Sequence, residues 1–210
     1  NLFEASFQIA EWVHNNIKYD LNTLTESASQ KSSWVYDNKD GVCDEITSLF
    51  ISMARSAGIP ARFVTGMVYS NINYQFGNHG WAELYFPDYG WVPFDVTFGE
   101  YGWIDPSHVK LSDSLDAGQP SIEYSWKSYQ FDVENTSLNL NSNIIQTGAK
   151  INPPYIISIE SLVNKVGPGS YVPVKVIVKN PYDYYGADSI SMVKSLNLTE
   201  TNSKNILLQP

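Results

Sequence analysis

At Pro60 the hydrophobic period of the chain changes, and no other feature restricts the fold as much. From Cys43 onward the apolar residues Ile46, Leu49, Phe50, Met53, Ala54 and Ala57 recur at helical spacing. Asp44 and Glu45 occupy the first turn of that helix, where negative charge suits the helix dipole. Gly58 supplies a left-handed cap, and Pro60 forbids continuation. Beyond it the pattern is period two: Arg62 to Tyr69 reads as a strand. A one-sided helix leading straight into strands calls for an α+β arrangement, with the helix packed on a sheet.

The flanking segments fit that plan. Phe3, Phe7, Ala10, Val13 and Ile17 predict a first helix from Asn1 to about Tyr19, on which His14 packs. The polar run Asn22 to Ser33 reads as a loop or a solvated helical turn, and Ser70 to Gly77 as an Asn-rich loop. His79 to Phe86 and Trp91 to Phe98 predict two strands of a hairpin turned at Pro87-Asp88-Tyr89-Gly90. After an Asn- and Ser-rich stretch from about Gln130 to Gln146, Pro153-Pro154 opens a β-rich region. There Tyr171 to Val178 and Gly186 to Pro210 read as strands around turns at Gly167-Pro168-Gly169 and Asn180-Pro181. The expected organisation is a core domain over 1–150 and a β-rich extension over 151–210, the latter short for a complete sandwich.

Cys43 is the single cysteine of 210 residues, which excludes an internal disulfide and a multi-cysteine zinc cage. Its place at a helix start suits a nucleophile, because first-turn amides favour a thiolate and can donate to an oxyanion. It equally suits core filler, since Cys43 lies on the apolar stripe. Asp44 and Glu45 oppose a thiolate. A nucleophilic thiol needs an imidazole, and the imidazole a partner that orients it. An odd-numbered hairpin loop pairs odd positions with odd ones. Asp95 would then lie across from Trp81 and diagonal to His79, within reach of its ring.

The segments Gly41-Val42-Cys43, Arg55 to Gly66, His79-Gly80-Trp81-Ala82-Glu83-Leu84-Tyr85-Phe86 and Gly90 to Thr97 together resemble the transglutaminase-like superfamily, over about Phe3 to Pro106. The resemblance implies a papain-like α+β core in which a helix-borne Cys faces a His and an Asp on an antiparallel sheet. It implies Cys43 as nucleophile, His79 as general base and acid, and Asp95 as the orienting carboxylate. It also implies thiol-dependent acyl transfer on a peptide or carboxamide, by hydrolysis or by protein cross-linking, with no cofactor. The family also contains members without activity, so a silent binding or structural module is the alternative.

Around that triad, Trp34, Trp81 and Glu83 are candidates for the oxyanion site or the cleft, or else core and solvated strand positions. His108 reads as a turn residue in preference to a group that supports the triad from behind or a metal ligand. A zinc site from Cys43, His79 and Asp95 with His108 as fourth ligand competes, but no short-spaced ligand pair supports it. The net charge of −9 argues against nucleic acid as a partner. No apolar run approaches the roughly 20 residues of a membrane span. The expected partner is a peptide or protein, and the segment reads as part of a larger polypeptide. Sequons at Asn135 and Asn197 and the acidic composition point to an extracellular or cell-surface setting.

Overall fold

The computed structural model describes residues 1–23, 30–72, 74–117, 127, 129, 143–146, 148–149, 154–191 and 203–210. Both sequons, at Asn135 and Asn197, and most of the Asn- and Ser-rich stretch lie outside the described residues. The first helix, α1 (Leu2–Asn16), is capped by the Asn1 side chain, which accepts from the Glu4 N–H. It buries Phe7, Ala10 and Val13. It ends three residues earlier than expected: Ile17 turns extended with φ −107° and ψ 121°. The chain then forms β1 (Lys18–Tyr19), which runs parallel to β2 (Asp40–Gly41). Cross-chain backbone bonds outcompete the helix there, with Lys18 N–H donating to Lys39 O at 2.7 Å and Asp20 N–H to Gly41 O at 3.0 Å.

Between these strands lies α2 (Ser32–Asn38), a helix that sequence reasoning misses because its seven residues bury only Val35. Next comes α3 (Cys43–Ser56), the helix read from periodicity. Its stop is as expected: Gly58 has φ +80°, and Ile59 N–H returns to Ala54 O at 3.0 Å.

The sheet contains β3 (Ala61–Ser70), β4 (Gln75–Phe86), β5 (Gly90–Asp95), β6 (Glu100–Tyr101) and β7 (His108–Ser114), in the order β6-β5-β4-β3-β7. The expected loop from Ser70 to Gly77 is shorter than read, since β4 already starts at Gln75 and pairs with Ser70. The hairpin loop is Pro87-Asp88-Tyr89, and Phe86 pairs with Gly90. The odd loop therefore sets the odd-to-odd register. β5 stops at Asp95 rather than running to Phe98, because Asp95 Oδ1 accepts from the Thr97 and Phe98 N–H groups at 2.9 and 3.1 Å and closes a turn.

One face of the sheet carries Ala61, Phe63, Ala82, Leu84, Phe86 and Phe94 and forms the core with Ile46, Leu49, Phe50 and Ala54 of α3 and with α1. The fold is thus α+β, with the Cys-bearing helix packed on an antiparallel sheet. The β-rich extension consists of two separate antiparallel pairs among the described residues, β8 (Ile156–Ser161) with β9 (Val174–Lys179) and β10 (Gly186–Ser191) with β11 (Ser203–Leu208). The second pair meets the core: Tyr185 stacks on Phe3 at 5.2 Å, and Ala187 and Leu207 pack on the apolar cluster.

Candidate active site

Cys43 opens α3 because the preceding residues cannot be helical where they lie. Gly41 is in β2, and Val42 is extended with φ −101° and ψ 178°. Glu45 anchors this entry. Its carboxylate is 1% exposed and accepts from Val42 N–H at 3.0 Å, Thr23 Oγ1 at 2.8 Å and Gln30 N–H at 2.7 Å. The acid read as a dipole partner is therefore also a buried clamp that ties three chain segments to the thiol-bearing turn.

The end of α3 docks on Gly80. Thr47 Oγ1 donates to Gly80 O at 3.1 Å. A strand residue directs its N–H and C=O to the same edge, so the Gly80 N–H faces the helix too, where it stabilises the ionised form of the Cys43 sulfur. β5 leaves this edge free, because its ladder with β4 begins at the Ala82–Phe94 pair. A side chain at position 80 would collide with the Phe63 ring and lie 2.7 Å from Asp44 Oδ1. Only glycine lets the helix come this close.

The imidazole and the carboxylate meet as the register requires. Continuing the Ala82–Phe94 pairing by one residue sets Trp81 opposite Asp95 and His79 diagonal to it. His79 Nε2 lies 2.6 Å from Asp95 Oδ2, with both side chains buried. That contact assigns the Nε2 proton to the Asp95 side and leaves Nδ1 as the basic nitrogen. Burial pushes Asp95 up, but hydrogen bonds from His108 and His79 outweigh it and hold the acid down at about 2. Phe98, half exposed, stacks on the His79 ring at 4.8 Å.

The thiol itself is not poised as a thiolate. Cys43 Sγ contacts Asp44 Oδ1 at 3.6 Å, and its hydrogen bond among the described residues goes there rather than to His79. Burial first, and then the Asp44 charge, push the thiol up to about 12. This reverses the expectation that the helix N-terminus lowers it: the few tenths of a charge at a helix end are outweighed by desolvation and a full carboxylate.

The other candidates sort differently. Trp81 is buried on the same face as His79, stacks on its ring at 6.2 Å, and keeps its Nε1–H without a partner among the described residues. Glu83 lies farther along that face in ion pairs with Arg62 Nη2 at 2.6 Å and Lys110 Nζ at 2.9 Å. Trp34 is on α2, packed against the apolar cluster. Sequence reasoning passed over Tyr19, whose phenol is pushed up by burial and by the nearby Cys43 and Asp44. Nothing in its local pattern signals this, since β1 and β2 bring it there.

His108 requires a correction. It closes the turn, its N–H reaching Asp105 O at 3.4 Å, but it also starts β7 opposite Val68, and its ring is not left at the surface as a plain turn residue's would be. Its side chain is 0% exposed, and Nε2 lies 3.0 Å from the same Asp95 oxygen that His79 binds.

The ligand atoms of His79, Asp95 and His108 lie within 4.8 Å of one another, as do those of Glu100, Asp105 and His108. Three of the four zinc candidates thus converge, and Cys43 stands outside the group. Two ligands of one tetrahedral zinc sit roughly 3.3 Å apart. The 2.6 Å between His79 and Asp95 is too short for that. Their geometry is that of a hydrogen-bonded chain, with the atoms aimed at one another.

Residues 1–96 match the family model of the transglutaminase-like superfamily. This segment, just under half of the chain, resembles a transglutaminase-like core. Among relatives, the chain is 30% identical over 136 residues to the uncharacterized protein YebA of Bacillus subtilis, covering 56% of this chain and 18% of that protein. It is 29% identical over 93 residues to a protein-glutamine gamma-glutamyltransferase of Pseudomonas aeruginosa, covering 40% of this chain and 14% of the enzyme. The chain therefore spans less than a fifth of either relative. A putative cysteine protease from Cytophaga hutchinsonii superposes with a TM-score of 0.42 and 25% identity, over 53% of this chain and 36% of that one. The transglutaminase-like core includes Cys43, His79 and Asp95, whereas His108 lies beyond the matched residues.

Proposed function

We propose that the transglutaminase-like core performs thiol-dependent acyl transfer on a peptide or carboxamide, with Cys43, His79 and Asp95 as its triad. The observation that carries this reading is the 2.6 Å bond between His79 and Asp95, buried next to the strand residue on which the thiol docks. Because the resting thiol is neutral, His79 Nδ1 removes its proton as sulfur attacks the carbonyl carbon. The first-turn amides of α3 receive the oxyanion. His79 then returns the proton to the departing nitrogen, leaving a thioester on Cys43. Water resolves the thioester in a peptidase or amidase; an amine resolves it in a cross-linking enzyme. Asp95 keeps the imidazole oriented and carries the counter-charge while His79 is protonated.

The test is alkylation of Cys43 by iodoacetamide across pH, in the parent and in His79→Ala. Slower alkylation of the variant near neutral pH is the expected result, and equal rates would remove the Cys–His pair from consideration. Supplying a glutamine-containing peptide with and without a primary amine then separates cross-linking from hydrolysis by mass.

A second reading, a silent binding or structural module, is favoured by one observation: the thiol pushed up to about 12 beside Asp44. It predicts equally slow alkylation in both proteins. In either case the chain works within a longer polypeptide, as its small share of its relatives suggests. An exported or cell-surface setting, supported by the acidic composition and the sequons, completes the reading, and cell fractionation tests it.

A further inference from the structure

His108 is buried among charges that the triad does not account for. Its Nε2 lies 3.0 Å from Asp95 Oδ2 on β5, and its Nδ1 lies 3.0 Å from Asp105 Oδ1 in the turn before β7. Glu100 Oε2 on β6 stands 4.0 Å from Nδ1, and the His79 ring on β4 is 5.7 Å away, centre to centre. Each ring nitrogen therefore faces a carboxylate oxygen. A neutral imidazole would set one lone pair against a carboxylate, whereas an imidazolium donates to both.

We propose that His108 is a positioning residue of this site: as an imidazolium it shares the Asp95 oxygen and keeps His79 a neutral base. This rests on the acyl-transfer reading above. The reason is electrostatic. An Asp95 carboxylate with His79 as its one cationic partner would draw a proton onto His79 and stabilise it there. A second partner on the same oxygen, charged at neutral pH, offsets that carboxylate and repels a proton on His79. The groups facing His79 are then Asp95 and His108, with Asp44 from α3 close enough to feel its charge. The direction of the His108 shift agrees: burial lowers it, but Asp95, Asp105 and Glu100 together raise it to about 9. A neutral thiol needs a base that is free at neutral pH, and His108 supplies that condition from outside the triad.

The test is to titrate the imidazole nitrogens by NMR in the parent and in His108→Gln, whose amide still donates to Asp95 but carries no charge. Two like charges at this separation predict that the His79 midpoint rises by roughly one to two pH units in the variant. The acid limb of Cys43 alkylation should move with it. A His79 midpoint unchanged in a folded His108→Gln would overturn the proposal. So would a His108 ring in the parent that loses its proton below pH 7, a result that requires no variant to fold. If His79→Ala leaves alkylation unchanged, the acyl-transfer reading fails, and the two imidazole titrations still decide the pairing of His108.

Discussion

The Thr47 hydroxyl donates to the Gly80 carbonyl at 3.1 Å, and this bond seats the thiol-bearing turn of α3 on the strand that carries His79. It joins a helix residue to a strand residue 33 positions away at a point where both are buried. Thr47→Val keeps the shape and leaves the Gly80 carbonyl unpaired, at a cost of about 1–3 kcal/mol. Gly80→Ala places a methyl group into Phe63 and Asp44 and costs about as much through overpacking. Urea denaturation should show both losses. A Gly80→Ala protein as stable as the parent would mean that the helix does not sit this close.

Asp44 should restrain the thiol. Asp44→Asn removes the charge that, after burial, pushes Cys43 up to about 12. The pH at which alkylation is half-maximal should fall, yet stay above the ordinary value of 9.0 because burial is the larger cause. An unchanged or raised midpoint would show that Asp44 does not act on the sulfur.

Glu45 is a structural acid. Glu45→Gln replaces a buried carboxylate that accepts three hydrogen bonds with an amide that sets two protons among those donors. Bonds to charged acceptors are each worth about 1.5–3 kcal/mol, so a destabilisation on the order of 3 kcal/mol is expected by chemical denaturation.

Stability should fall at both ends of the pH range. Asp95 is held down at about 2, so its contribution is present above its ordinary 3.8 and is lost as pH falls through about 2. His108 is raised to about 9, so its contribution is complete below 6.5 and is lost as pH rises through about 9. Melting temperatures of the parent should therefore decline between pH 6.5 and 9, and His108→Gln should flatten that decline. A parent curve already flat there would place His108 as neutral.

Much of the core was legible in the chain because its signals are local. The stripe from Ile46 to Ala54, the stop at Gly58-Ile59-Pro60 and the three-residue hairpin loop each act within a few residues, and the structure follows them. The loop even decided the register that brings Asp95 to His79. What failed was also local in kind: α2 buries too little to leave a period, and Asp95 ends its strand by bonding its own turn amides, an outcome that a run of β-forming residues conceals.

The sequence by itself determined that a capped helix bearing the lone cysteine leads into an antiparallel hairpin with a histidine and an aspartate on one face. Spacing along a helix or strand encodes that much. Only the tertiary structure decided what the thiol and the carboxylate feel. Asp44 lies beside Cys43 in both, but its effect depends on how deeply docking on Gly80 removes the pair from water. His108 reaches Asp95 from a different edge of the sheet, through the β3–β7 pairing. Charge and desolvation act through space, and periodicity along one chain segment carries no record of which distant group will share an oxygen.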